Sequence, residues 1–104
     1  MSRIIRRTAT SVTREETPRP ACHQVQRMIA NATKYGVPSI GLVITGGAGI
    51  TQLVRHYRSK LDGLLSQPAR VIVSNLDGTV NKRRYVYIEF ANVNDLVMAR
   101  LAIA

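Results

Sequence analysis

The chain has 104 residues, of which 45 % are apolar, and it carries 15 Lys and Arg against 6 Asp and Glu. This length suits one small domain with a packed core, and the apolar fraction excludes a uniformly disordered chain. The formal net charge of +9 favours an anionic partner, namely RNA, DNA or an acidic protein or lipid surface. No apolar run approaches the roughly 18 residues of a membrane helix, so we expect no membrane partner.

Residues 1–20 are predicted to form a basic arm, followed by a single domain over residues 21–104. The arm contains five arginines, among them Arg3, Arg6 and Arg7. It could be a solvated tail, or residues 3–13 could pair with the sheet as a strand. Its Arg- and Ser/Thr-rich start is also compatible with organellar import, although Glu15 and Glu16 interrupt that pattern early.

A helix is predicted over residues 21–35, where apolar side chains recur at helical spacing from Val25 to Tyr35. Gly36 supplies its stop signal. The segment "SIGLVIT", residues 39–45, then reads as a strand, and its mostly apolar run is typical of a central position in a sheet.

The strongest periodic signal follows the tight loop "GGAG" at residues 46–49. Apolar residues recur at i, i+3, i+4 and i+7 from Ile50, and Pro68 ends the predicted helix. We expect one face of this helix and the inward face of the sheet to form the core. Its members would be Leu53, Val54, Tyr57, Leu61 and Leu64 with Ile44, Val86, Ile88 and Phe90.

The remaining elements are two strands and a helix. Residues 70–74 and 83–90 are predicted to form a hairpin around an Asp77-Gly78 turn. Asn94-Asp95 is predicted to cap a last helix that runs through Leu101. The predicted fold class is therefore α+β, with a small antiparallel sheet packed on two helices and preceded by an extra N-terminal helix and the basic arm.

The stretch "NKRRYVYIEF", residues 81–90, carries the functional signal. Side chains alternate between the two faces of a strand. If Val86 and Ile88 point into the core, Tyr85 and Tyr87 stand together on the other face beside Arg83. Two rings next to a guanidinium could stack bases at about 1–3 kcal/mol each, while the cation attracts phosphate.

These residues resemble the octamer of the RNA-recognition motif family, which reads K/R-G-F/Y-G/A-F-V-x-F/Y. The corresponding residues here read Arg-Arg-Tyr-Val-Tyr-Ile-Glu-Phe over positions 83–90, and the first, third and last agree outright. Residues 39–103 also supply the first six elements of that family in order. The resemblance implies an RRM-like or ferredoxin-like β-α-β-β-α unit, with Lys82 and Arg84 near phosphates and Val43 where a stacking aromatic is usual.

Only fourteen residues follow Phe90, so the fourth strand of that family has no room. The strand at residues 39–45 would then be an open edge, which proteins normally protect. We expect the edge to be covered by residues 3–13, by the same strand of a second copy in a homodimer, or by a partner protein.

Other constellations give weaker signals. The strand–GGAG–helix passage is similar to the glycine-rich turn of short-chain dehydrogenases, but Gln52 replaces the third glycine and a complete dinucleotide domain does not fit. Cys22 adjoins His23, yet no third ligand is evident, so we expect no metal and no cofactor. The single cysteine fits an intracellular, reducing compartment. The carboxylates are scattered, so we predict no catalytic residues and no enzyme.

The sequence therefore predicts a non-catalytic protein that binds single-stranded nucleic acid, with RNA favoured over DNA. Its predicted binding residues are Lys82, Arg83, Arg84, Tyr85, Tyr87, Val43, Arg3, Arg6 and Arg7. The alternative is a protein-interaction module or small subunit of a larger ribonucleoprotein assembly, which would use the same sheet face or the open edge. Exposure or burial of the two tyrosines discriminates between these readings.

Overall fold

The computed structural model describes residues 20–76 and 82–103. The arm arginines Arg3, Arg6 and Arg7 and the Asp77-Gly78 turn therefore lie outside the described residues. The described elements follow the predicted order of helix, strand, helix, strand, strand, helix, which confirms the α+β class. They are α1 Cys22–Tyr35, β1 Ser39–Ile44, α2 Ile50–Leu61, β2 Arg70–Val73, β3 Arg84–Glu89 and α3 Val93–Ile103.

The three strands form one antiparallel sheet in the order β1-β3-β2. Val86 at the middle of β3 lies opposite Leu42 on one side and Val73 on the other. The pairing of the second strand with the third is therefore as predicted. Within the described residues β1 lies at an edge of the sheet, so the central position that its apolar run predicted is not observed there.

One face of the sheet packs on α2 and α3 and forms the larger core. Val86, Ile88 and Phe90 are buried there as predicted, and they are joined by Leu53, Tyr57, Leu61, Val73 and Ala99. Leu64 was expected in this core and is instead exposed. The reason is local, because α2 ends at Leu61 and Gly63 takes a left-handed φ of 80°, so the helical spacing no longer applies at residue 64.

The opposite face of the sheet is covered by α1. Val25 and Ala32 of the helix are buried against Tyr87 of β3, and Met28 and Ile29 pack around them. At its end, Gly36 adopts a left-handed φ of 71°, and its N–H and that of the following residue donate to the last helical carbonyls. The protein is therefore layered, with α1 on one side of the sheet and α2 with α3 on the other.

The contact between α1 and β1 depends on the missing side chain of Gly41. A Cβ at this position would lie 2.7 Å from Cγ2 of Ile29 and 2.9 Å from its Cδ1. Such distances are well inside van der Waals contact, so a larger residue would force the Ile29 side chain or the helix to shift. Gly41 thus sets how closely α1 approaches the sheet.

The last helix is fixed to the loop that follows α2 by a small polar cluster. Asn92 caps α3, because its Oδ1 accepts from the Asp95 N–H at 2.8 Å, whereas Asn94-Asp95 was the predicted cap. The buried Asp95 carboxylate accepts from the Ser66 N–H at 3.0 Å and from the Ser66 hydroxyl at 2.9 Å. These hydrogen bonds lower the pKa of Asp95, although burial opposes them.

Gly41→Ala is expected to lower the free energy of unfolding by about 1–3 kcal/mol, because the new methyl group overpacks the α1–β1 contact. Urea unfolding measures this change. Ile29→Ala in the same chain should relieve the clash, so the two substitutions together should cost less than the sum of their separate effects. Strictly additive costs would show that Gly41 and Ile29 do not touch.

The Asp95 cluster predicts a specific acid sensitivity. The folded-state pKa lies below the unfolded value of 3.8, so the carboxylate stabilises the fold above that value. This contribution is lost as the pH falls through the lowered pKa. Asp95→Asn should therefore unfold more easily at neutral pH and show a shallower loss of stability as the pH falls below the unfolded value of 3.8. Equal pH slopes for the variant and the original protein would contradict the assignment.

Candidate nucleic-acid interface

Tyr87 does not present its ring on an open surface. Its side chain is 3 % exposed and packs beneath α1 with Val25 and Ala32. The alternation of faces along β3 is as predicted, since Tyr85 and Tyr87 lie opposite the main core. The prediction of an open platform of two rings is nevertheless wrong, because α1 covers Tyr87 on that face.

The hydroxyl group of Tyr87 serves the fold rather than a ligand. It donates to Oε1 of Glu89 at 2.7 Å, and that carboxylate lies 3.8 Å from Nη1 of Arg70. Burial and the Glu89 carboxylate raise the pKa of Tyr87 to about 12. The phenol is therefore neutral at physiological pH, and the hydrogen bond to Glu89 satisfies the hydroxyl group of this buried side chain.

The part of this face that α1 leaves uncovered holds Tyr85 and Val43. These residues lie directly opposite each other in the β1–β3 register. Val43 is 54 % exposed, and Tyr85 is partly exposed at the margin of the cluster beneath α1. The resemblance to the RNA-recognition motif family places Val43 where an aromatic residue is usual. One partly exposed ring therefore lies here beside an aliphatic side chain.

Two cationic residues adjoin this pair where β3 begins. Lys82 and Arg83 are both exposed. The alkyl chain of Lys82 runs beside the glycine turn after β1, with its Cδ 3.6 Å from the position of a Cβ on Gly47. Val43, Tyr85, Lys82 and Arg83 thus lie together at one end of the β1–β3 pair, and we call them the strand-end patch.

Arg84 lies on the other face of the strand and is not part of this patch. Its Nε donates to the Ala48 carbonyl at 2.7 Å, and its Nη1 donates to the Ser74 carbonyl at 2.9 Å. The guanidinium joins the loop before α2 to the end of β2. These hydrogen bonds give the guanidinium a structural role, and its contact with phosphate stays a prediction.

The start of α1 is anchored at the same end of the sheet. The Cys22 thiol is partly buried, and it donates to the Asn75 carbonyl at 3.0 Å and lies 3.3 Å from the Ser74 hydroxyl. No group of three or more His, Cys, Asp or Glu side chains in the described ranges could hold a metal ion. Within those same ranges, no helix has the length and apolarity needed to cross a membrane.

One surface was missed by the sequence analysis. Val93, Val97 and Leu101 recur every four residues along α3, and they are exposed by 63 %, 51 % and 75 %. The opposite side of α3 buries Ala99, so the helix is apolar nearly all round. That composition was visible in the sequence and is a recognised sign of a helix with a second contact surface.

Comparisons with known proteins add no relatives to this description. Neither the family models, nor the curated proteins, nor the solved structures contain a match to the chain.

The two tyrosines are expected to respond differently to truncation. Tyr87→Ala should lower the free energy of unfolding by about 3–5 kcal/mol, as for other buried aromatic residues. Tyr85→Ala should cost much less, since its ring is partly exposed. Chemical denaturation of both variants provides the measurement, and equal costs would show that α1 does not cover Tyr87 selectively.

Proposed function

We propose that the chain is a non-catalytic protein that binds single-stranded nucleic acid through the strand-end patch, with RNA favoured over DNA. The observation that carries the proposal is the uncompensated positive charge. The chain has a formal net charge of +9, and two of its few carboxylates accept hydrogen bonds from other residues of the fold. Glu89 accepts from Tyr87, and Asp95 accepts from Ser66.

The strand-end patch combines the two kinds of contact that a single strand offers. Lys82 and Arg83 can attract phosphates, while the partly exposed ring of Tyr85 can stack on one base. With Tyr87 buried, the contribution of base stacking is limited to that ring. Phosphate contacts therefore dominate the proposed affinity, and sequence preference is expected to be weak.

An RRM-like relationship is part of this proposal. The strand order β1-β3-β2, with α2 and α3 on one face, agrees with the β-α-β-β-α unit that the octamer at residues 83–90 suggested. In that family the opposite face binds RNA. Here α1 lies on that face, so the proposed contact moves from the middle of the sheet to its end.

A second candidate is a protein-interaction module, or a small subunit of a larger ribonucleoprotein assembly. The exposed apolar stripe of α3 favours it, because contiguous exposed apolar surface commonly marks a protein interface. Burial of Tyr87 favours it as well, since the expected stacking surface is reduced. The two candidates use different surfaces and can both hold in one protein.

The primary proposal predicts a salt-dependent affinity measured by fluorescence anisotropy with labelled single-stranded and duplex RNA and DNA. Log affinity should fall linearly with log salt, by about 0.7 per phosphate contact for single strands. Lys82→Ala with Arg83→Ala should lower this slope by up to about 1.4, and deletion of residues 2–14 should lower it further. Tyr85→Ala should weaken binding by about 1–3 kcal/mol without changing the slope.

The matched control is Lys34→Ala with Arg100→Ala. It removes the same charge from exposed positions on α1 and α3, away from the patch. A control that lowers the slope as much as the patch variant would show that binding is spread over the whole surface. If the original protein binds no nucleic acid at low salt, the protein-interaction candidate replaces the primary proposal.

A further inference from the structure

A large open groove lies on the side of the molecule formed by α2 and β2. Its volume is about 1170 Å³, above the usual range of small-molecule pockets. One wall is the exposed side of α2, the far end is the loop after α2, and the other wall is the start of β2. β2 pairs with β3 on one side and has no strand partner on its other side within the described ranges.

Part of the groove is aliphatic. Val54 of α2, Leu65 of the following loop and Val71 of β2 line it, and each is only partly buried against the main core. Part of each side chain therefore remains accessible from the groove. An occupant with apolar side chains would remove this surface from water, at about 25 cal/mol per Å² of apolar area buried.

The charge at the groove is predominantly positive. Arg55 and Arg58 of α2 both line it and are exposed, and Asp62 supplies one carboxylate at the end of the helix. In a chain of net charge +9, an occupant with carboxylates is attracted and a basic one is repelled. The groove is thus complementary to a segment that carries both apolar and acidic side chains.

A peptide fits these features better than a nucleic acid does. The groove lining contains no aromatic ring on which a base could stack. The free side of β2 offers backbone N–H and C=O groups to an extended chain, and this is a common mode of peptide recognition. The side chains of such a peptide that point to the α2 side of the sheet would meet both the aliphatic lining and the arginines.

We propose that the groove between α2 and β2 binds an extended segment of a partner protein that carries apolar and acidic side chains. The segment lies along the free side of β2, its apolar side chains contact Val54, Leu65 and Val71, and its carboxylates pair with Arg55 and Arg58. This inference is independent of nucleic-acid binding, because it involves no residue of the strand-end patch.

The test is selection of a displayed random-peptide library on the purified full chain, followed by fluorescence anisotropy with the selected peptides. The selected sequences should combine aliphatic residues with Asp or Glu. Arg55→Glu with Arg58→Glu should weaken them at least about tenfold, which corresponds to 1.4 kcal/mol. Replacing the acidic residues of a selected peptide by their amides should weaken binding to the original protein as well.

The control variant Arg27→Glu with Lys60→Glu has the same net charge as the Arg55→Glu, Arg58→Glu variant. It changes exposed residues that do not line the groove. It should bind the selected peptides within about twofold of the original affinity, or roughly 0.4 kcal/mol. Thermal unfolding confirms that both variants fold. No enrichment of peptides, or equal weakening by the two variants, would overturn the proposal.

Two other occupants are separate outcomes that also overturn it. A single-stranded RNA could compete with a selected peptide on the original protein. If that RNA also fails to bind the Arg55→Glu, Arg58→Glu variant, the groove is a nucleic-acid surface. A dimer in gel filtration that the same variant converts to a monomer would make it a contact between two copies of the chain.

Discussion

The close approach of α1 to the sheet determines how the second face of the sheet is used. It requires a position on β1 without a side chain, and Gly41 supplies it under Ile29. Once the helix lies there, Val25 and Ala32 enclose Tyr87 and a second, smaller core forms. The sheet is then covered on both faces, and a three-stranded sheet that would be marginal with one open face gains packing on each side.

This covering also decides where a ligand can bind. In the octamer that resembles a base-stacking motif, Tyr87 lies beneath α1 and Tyr85 stays partly exposed at the margin. The cations of the strand-end patch lie where the strands emerge from beneath α1. The molecule thus separates a basic surface at one end of the sheet from the exposed apolar stripe of α3 and from the groove beside β2. Each surface has its own chemistry, so substitutions can abolish binding at one surface without changing the other two.

The sequence was sufficient to predict the element order, the α+β class and the face of β3 that enters the main core. Periodicity reports these features directly, because Val86, Ile88 and Phe90 alternate along one strand. Periodicity could not predict that α1 covers the other face of the sheet. The decisive signal was one glycine within a strand, whose meaning depends on the helix that lies above it. Leu64 and Asn92 show the same limit, since the end of α2 and the cap of α3 depend on local backbone geometry.

The measurement that tests the central claim most directly is a nuclear Overhauser experiment on the isotopically labelled full chain. The account predicts strong contacts from the methyl groups of Ile29 to the α protons of Gly41, together with contacts from Val25 and Ala32 to the ring of Tyr87. It also predicts a Tyr87 hydroxyl proton protected from exchange by its hydrogen bond to Glu89. Absence of the Ile29–Gly41 contacts in a folded protein, with a solvent-accessible Tyr87 ring, would contradict it and would restore the open two-tyrosine face.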